Sequence, residues 1–119
     1  MYTITKEFHF SASHQLTDLP SDHQCARLHG HNYVVVVELR SATLNQFGFV
    51  RDYQELGELK TYIDEHLDHR HLNEVFESEA VTAEFLAKHL FDWCKQRFAE
   101  TTAVRVSETP KTWAEYRPS

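Results

Sequence analysis

Glycine and proline are scarce, with three of each in 119 residues. No Gly/Ser-rich or Pro-rich linker divides the chain and no internal repeat appears, so the expectation is a single domain over residues 1–119. Cysteine is limited to Cys25 and Cys94, far apart and in different surroundings. That argues against a disulfide framework and suits a reducing compartment, making the cytoplasm the expected location. Long apolar runs are missing as well. No segment reaches transmembrane length, and the alternating, charged start "MYTITKEFHF" does not read as a signal peptide. No membrane partner is expected. A basic stripe is also lacking: the formal net charge is −6 with both signs interspersed, which argues against nucleic acid as a partner. An anionic substrate would need a local basic pocket or a metal.

What is present is organised by period. From Tyr2 to His14 the even positions read Tyr, Ile, Lys, Phe, Phe, Ala, His, the alternation of a half-buried strand whose apolar face ends at His14. "LTDLPSDHQCAR" is a loop, "HGHNYVVVVELR" a second strand, and "ATLNQFGF" a turn into a short third strand. In "VRDYQELGELKTYIDEHL" the spacing becomes helical. Leu56, Leu59, Ile63 and Leu67 share a face and Asp52 is the expected cap, while Gly57 inside the helix would cost about 1 kcal/mol relative to Ala. A second helix runs from about Thr82, its cap, to Phe98, with Leu86, Leu90, Trp93 and Cys94 as the apolar stripe. "AVRVSET" is the last strand. The order predicts an α+β domain, an antiparallel sheet with two helices on one face.

Nine histidines are the unusual ingredient. His29 and His31 are two apart on a strand and can converge on one ion, with His14 as a third nitrogen if the two strands pair. Three imidazoles leave one position of Zn²⁺ open, the catalytic arrangement. Spacing alone does not separate this from surface histidines at a strand entrance, since His69-x-His71 repeats the pattern. Gly30 between the pair would let a backbone or ligand come close.

Cys25 lies in the loop, four positions before His29 and two before Arg27. A thiolate there, near a dication, would serve as a base near neutral pH; an ordinary loop thiol is the alternative. Cys94, on a helix stripe beside Trp93, reads as core. In "LDHRHLN", Asp68 beside His69 forms either a proton relay or a polar helix terminus. Glu108 is in phase with Val104 and Val106, so it is either a strand end reaching water or a carboxylate awaiting a ligand with adjacent N–H donors, such as an amino-pyrimidinone edge.

The segments "FSASHQL", "CARLHGHNY", "GFVRDYQELGELK", "LDHRHLN", "VTAEFLA" and "VRVSETP" follow one another over nearly the whole chain. In that order they resemble the 6-pyruvoyl-tetrahydropterin synthase family, including its bacterial 6-carboxytetrahydropterin synthase branch. The resemblance implies zinc held by His14, His29 and His31, a catalytic thiol at Cys25 assisted by Asp68 and His69, and a pterin ring anchored by Glu108 beside Thr82. It implies the tunnelling fold (T-fold), whose sheets join into a barrel through oligomerisation, typically as a homohexamer of two trimers with active sites between subunits. The implied substrate is the small molecule 7,8-dihydroneopterin triphosphate, and no redox cofactor is expected. Only three residues stand between Cys25 and His29, which resembles the carboxy branch; the pyruvoyl synthases generally carry an insertion there. That branch releases acetaldehyde and triphosphate and leaves 6-carboxy-5,6,7,8-tetrahydropterin, towards queuosine and other 7-deazapurines. The alternatives are a pyruvoyl synthase and a non-catalytic zinc- or pterin-binding T-fold module. Val81 departs from the proline many members carry before the threonine.

Overall fold

The alternating segment forms β1, Tyr2–His14, in a computed structural model that describes residues 1–119. Phe8, Phe10, Ala12 and His14 are buried on one side, while Thr3, Thr5, Glu7 and His9 are exposed on the other. β2, His29–Ser41, runs antiparallel to it, pairing His14 with His29 and Phe8 with Val35. Tyr33, Val35, Val37 and Leu39 are fully buried on that same inward face. A slip of one residue would turn all of them outward, so the burial itself fixes the register.

Asp52 caps a 3₁₀ turn, Tyr53–Leu56, that leads into α1, Gly57–His66. Leu56, Leu59, Ile63 and Leu67 are all buried, as their spacing predicts. Gly57 stands at the junction of turn and helix, so the interior-glycine penalty expected from the sequence does not arise. α2 is a short helix, Leu72–Phe76, and α3 runs Ala83–Arg97. Thr82 Oγ1 caps α3 by accepting from the Phe85 amide at 3.1 Å. β4, Thr101–Thr109, pairs antiparallel with β2, and β5, Thr112–Tyr116, returns along β4. The helices bury Leu59, Ile63, Leu72, Leu86 and Leu90 in one cluster with the inward face of the sheet. None of them is long and apolar enough to cross a membrane.

Three expectations are corrected. "ATLNQFGF" does not lead into a strand: Asn45 Oδ1 accepts from the amides of Phe47 and Phe49, and Gly48 takes φ +86°, which closes a loop instead. The third strand in chain order is β3, only Arg70–His71, and it lies parallel to Ala12 and Ser13 of β1, so the sheet is mixed, in the order β3-β1-β2-β4-β5. "AVRVSET" is not the last strand, because Pro110 and Lys111 turn the chain into β5.

On the helix-free face a buried carboxylate ties β2 to β4 and to the residue that follows β5. Glu38 accepts from Arg117 at 2.6 Å, from Thr102 at 2.7 Å and from Arg105 at 3.1 Å. The Arg117 guanidinium, helped by Thr102, holds this carboxyl down at about 2 against the opposing effect of burial. Its stabilising contribution is therefore complete above the unfolded value of 4.5 and is lost as pH falls towards about 2. In urea titrations, Glu38→Gln should lower the unfolding free energy by about 1–3 kcal/mol at neutral pH. The gap from the wild type should close in acid; a gap that persists there would contradict the assignment.

Candidate metal centre

The strand register carries His14, His29 and His31 to one end of the inward face. His14 pairs with His29, and Ala12 with His31, so the third ring stands one inward position further along β2. Ring centroids are 4.5 Å apart for His14–His29, 5.0 Å for His14–His31 and 4.8 Å for His29–His31. One nitrogen from each ring lies within 4.8 Å of the other two.

Hydrogen bonding sets the tautomers. His14 Nδ1 lies 2.7 Å from the Val81 carbonyl and His29 Nδ1 lies 2.6 Å from the Arg27 carbonyl. A carbonyl only accepts, so each Nδ1 carries the proton and each neutral ring presents a bare lone pair at Nε2. Those two Nε2 atoms face each other at 2.9 Å. Two lone pairs at that separation repel, and a cation shared between them removes the conflict. His31 Nε2 is buried with no hydrogen-bond partner, an omission that costs about 1–3 kcal/mol when nothing fills it. Burial holds His31 below its ordinary value, against the pull of Glu108. Three imidazole nitrogens, two oriented by carbonyls and one orphaned, fit a divalent cation with a position left open.

Neighbouring groups fix this corner. Asn73 Oδ1 accepts from the Gln15 amide at 2.8 Å, and Asn73 Nδ2 donates to the Gln15 carbonyl at 2.7 Å, clamping the residue after His14. The loop between the first two ligands is closed at its base: the Leu16 amide donates to the Cys25 carbonyl at 3.0 Å, and Gln15 Nε2 to the Ala26 carbonyl at 2.8 Å. Cys25 is thereby held beside the stem that carries His14, as a half-buried free thiol in a 3₁₀ turn, Gln24–Ala26. Cys94 is core, as expected, and burial pushes its thiol up to about 12. Gly30 is not required by the chain itself, because a Cβ there would meet the Ala12 carbonyl at an ordinary 3.5 Å.

Glu108 joins the cluster from β4, with Oε2 3.5 Å from His31 Nε2. Thr82 follows the residue whose carbonyl orients His14. Its oxygen is engaged as the cap of α3, and its hydroxyl proton remains free to donate. Tyr33, fully buried between Phe10 and the histidines, has a hydroxyl without a partner, held protonated by burial and by Glu108.

Asp68 and His69 lie elsewhere. Asp68 Oδ1 accepts from the Ser11 amide at 2.9 Å, and its Oδ2 takes the His69 Nδ1 proton at 2.9 Å. The Ser11 amide and then His69 hold Asp68 below its ordinary value. Ser11 points away from the inward face, and the His69 side chain is 82% exposed. His69 lines a cleft of about 450 Å³ with Ser13, Asn32, Arg70 and His71, and His31 of the histidine cluster lines it too. His69 also adopts φ 60°, an uncommon conformation for a side-chain-bearing residue and one found at functional sites. One chain thus gathers His14, His29, His31 and Glu108 at one centre, with Thr82 next to the Val81 carbonyl that orients His14 and Cys25 on the adjoining loop, while Asp68 and His69 lie at the β1 edge beside a cleft that His31 also lines. The sequence reading missed the Val81 and Arg27 carbonyls, which no side chain advertises, and Asn73, which sits inside a quoted motif.

Comparison with known proteins adds the following. The family model described as 6-pyruvoyl tetrahydropterin synthase matches residues 3–119. A 6-carboxy-5,6,7,8-tetrahydropterin synthase of Synechocystis is 35% identical over 96 residues, 76% of this chain and 73% of its own. A 6-pyruvoyl tetrahydrobiopterin synthase of Drosophila melanogaster is 32% identical over 131 residues, 96% of this chain and 78% of its own. The solved 6-pyruvoyl tetrahydropterin synthase of Caenorhabditis elegans superposes with TM-score 0.86 at 29% identity, covering 99% of this chain and 96% of that one.

Purified protein should hold about one divalent metal per chain by elemental analysis. His31→Ala should lose it, and Cys25→Ala should keep it; a full metal load in His31→Ala would refute the ligand set.

Proposed function

We infer the reaction from one premise: this chain belongs to the 6-pyruvoyl tetrahydropterin synthase family, with its T-fold, and is an enzyme of pterin synthesis. We propose that it is the carboxy-type enzyme, a zinc-dependent 6-carboxy-5,6,7,8-tetrahydropterin synthase. It converts 7,8-dihydroneopterin triphosphate to 6-carboxytetrahydropterin with release of acetaldehyde and triphosphate, in the cytoplasm, towards queuosine and related 7-deazapurines. The observation that carries the metal-dependent reading is the pair of carbonyl-oriented imidazoles whose lone pairs meet at 2.9 Å beside the orphaned His31 nitrogen. The short run from Cys25 to His29 and the relatives named as carboxy synthases favour that branch. The pyruvoyl reading is kept as second because relatives with that name match over most of the chain.

His14, His29 and His31 would hold the ion, which when bound supplies Lewis acidity towards the oxygens of the substrate side chain. Glu108 accepts from the amino-pyrimidinone edge of the ring and sets its orientation, with the Thr82 hydroxyl beside it. Cys25, as thiolate, moves a proton of the side chain. Asp68 holds the Nδ1 proton of His69, so Nε2 is the free base that exchanges a second proton. His69 faces out of its own chain, so it serves the site of another copy. Two open sheet edges favour such an assembly into a homohexameric barrel. β1 is paired on its outer side only at Ala12 and Ser13, and β5 is unpaired beyond β4.

Incubation with dihydroneopterin triphosphate should release acetaldehyde and triphosphate, read by mass spectrometry. A retained three-carbon side chain would convert the assignment to the pyruvoyl reaction. Cys25→Ala and His69→Ala should each lower turnover by roughly 10²–10⁴-fold. Mixing the two inactive variants under subunit exchange should restore activity if the proton relay acts across copies. Mixtures as inactive as their components would sink the shared-site arrangement.

A further inference from the structure

β4 is irregular beside the metal centre. Val106 pairs with Ala114 and Thr109 with Thr112, so Ser107 and Glu108 together stand opposite the single residue Trp113. An extra residue in one strand bends it and re-aims its side chains, a device that recurs next to active sites. Here it sets a carboxylate and an indole across from each other in one cleft of about 330 Å³, a size within the range of small-molecule sites (about 300–1,000 Å³). Val106 and Ala114 of the sheet and Ala83 of α3 line it with them.

Both facing groups lack partners. Trp113 is 51% exposed, whereas the other tryptophan, Trp93, is stacked on Tyr62 and covered by Arg97. The Glu108 carboxylate accepts no hydrogen bond, and its one near polar neighbour is His31 Nε2 at 3.5 Å. The lining includes a second carboxylate, Glu84, and no lysine or arginine, so the anionic tail of a substrate is repelled from this cleft. A flat, uncharged ring with adjacent N–H donors on one edge satisfies Glu108 and offers a π face to an indole.

We propose that Trp113 is the stacking wall for the heterocycle whose donor edge Glu108 holds. The inference rests on the reading of Glu108 given above and adds a residue that determines ring affinity. Indole stacking acts on the whole planar ring, while Glu108 reads only its edge, so the two contributions separate in variants.

The test uses the full chain and 7,8-dihydroneopterin, which has no triphosphate to eliminate. Wild type and Trp93→Phe should show saturable quenching of tryptophan emission. Trp113→Leu, which keeps apolar bulk without a π face, should raise the dissociation constant measured by calorimetry by roughly 5- to 150-fold. Trp113→Phe should recover most of the affinity. An unchanged dissociation constant in Trp113→Leu would overturn the stacking role while leaving the Glu108 reading intact. Absence of any binding by the wild type would instead remove the Glu108 reading, and this one with it. If both Trp113 variants lose binding together with assembly mass in light scattering, Trp113 is a contact between copies and the proposal fails.

Discussion

Two backbone carbonyls govern the chemistry available to this molecule. Val81 and Arg27 each hold the Nδ1 proton of a histidine, so the opposite nitrogens present lone pairs to each other. The constraints that place the rings are the register of β1 with β2, locked by a buried apolar face, and the anchored entrance of α3. The packing of the core therefore brings three imidazole nitrogens to one point, a set that fits a dication, and binding there would link folding to metal affinity.

The candidate catalytic groups fall into two sets. The three imidazoles and Glu108 meet at one end of the inward face; Asp68 and the exposed His69 lie at the β1 edge, beside a cleft that His31 also lines. Asp68 is held at the outer edge of β1, where its carboxylate accepts from the Ser11 backbone amide. The proposed sharing of one centre between copies would give the open edges of β1 and β5 a purpose beyond assembly.

Much of this was legible beforehand, for identifiable reasons. β1 and β2 were readable because their alternation is long and unbroken, and His14 could be placed because it closes an apolar face. α3 announced itself through Thr82 and its stripe. β3 was invisible: two residues carry no period, and its pairing with Ala12 and Ser13 depends on a contact distant in sequence. The loop after β2 was misread since Asn45 supplies acceptors that mimic a turn into a strand. Glu108 is in phase with Val104 and Val106, but the bulge that aims it forms only against β5, a pairing that the period of β4 does not reveal. Side-chain patterns reveal faces; backbone donors and acceptors, which do much of the orienting here, leave no letter in the sequence.

The segment from Gln15 to Leu28 joins two ligands and is stitched at its stem by Leu16 with Cys25 and Gln15 with Ala26. With both ends fixed independently of what lies between, its length is nearly free: each doubling adds only about 0.6 kcal/mol of closure entropy. Residues 17–22 are thus free to vary in number, whereas His23 belongs to the fixed stem, accepting from the Cys25 amide at 3.0 Å. Lengthening that run would reshape the entrance above the thiol without disturbing the imidazoles, a route by which one scaffold can acquire different outcomes from the same starting compound.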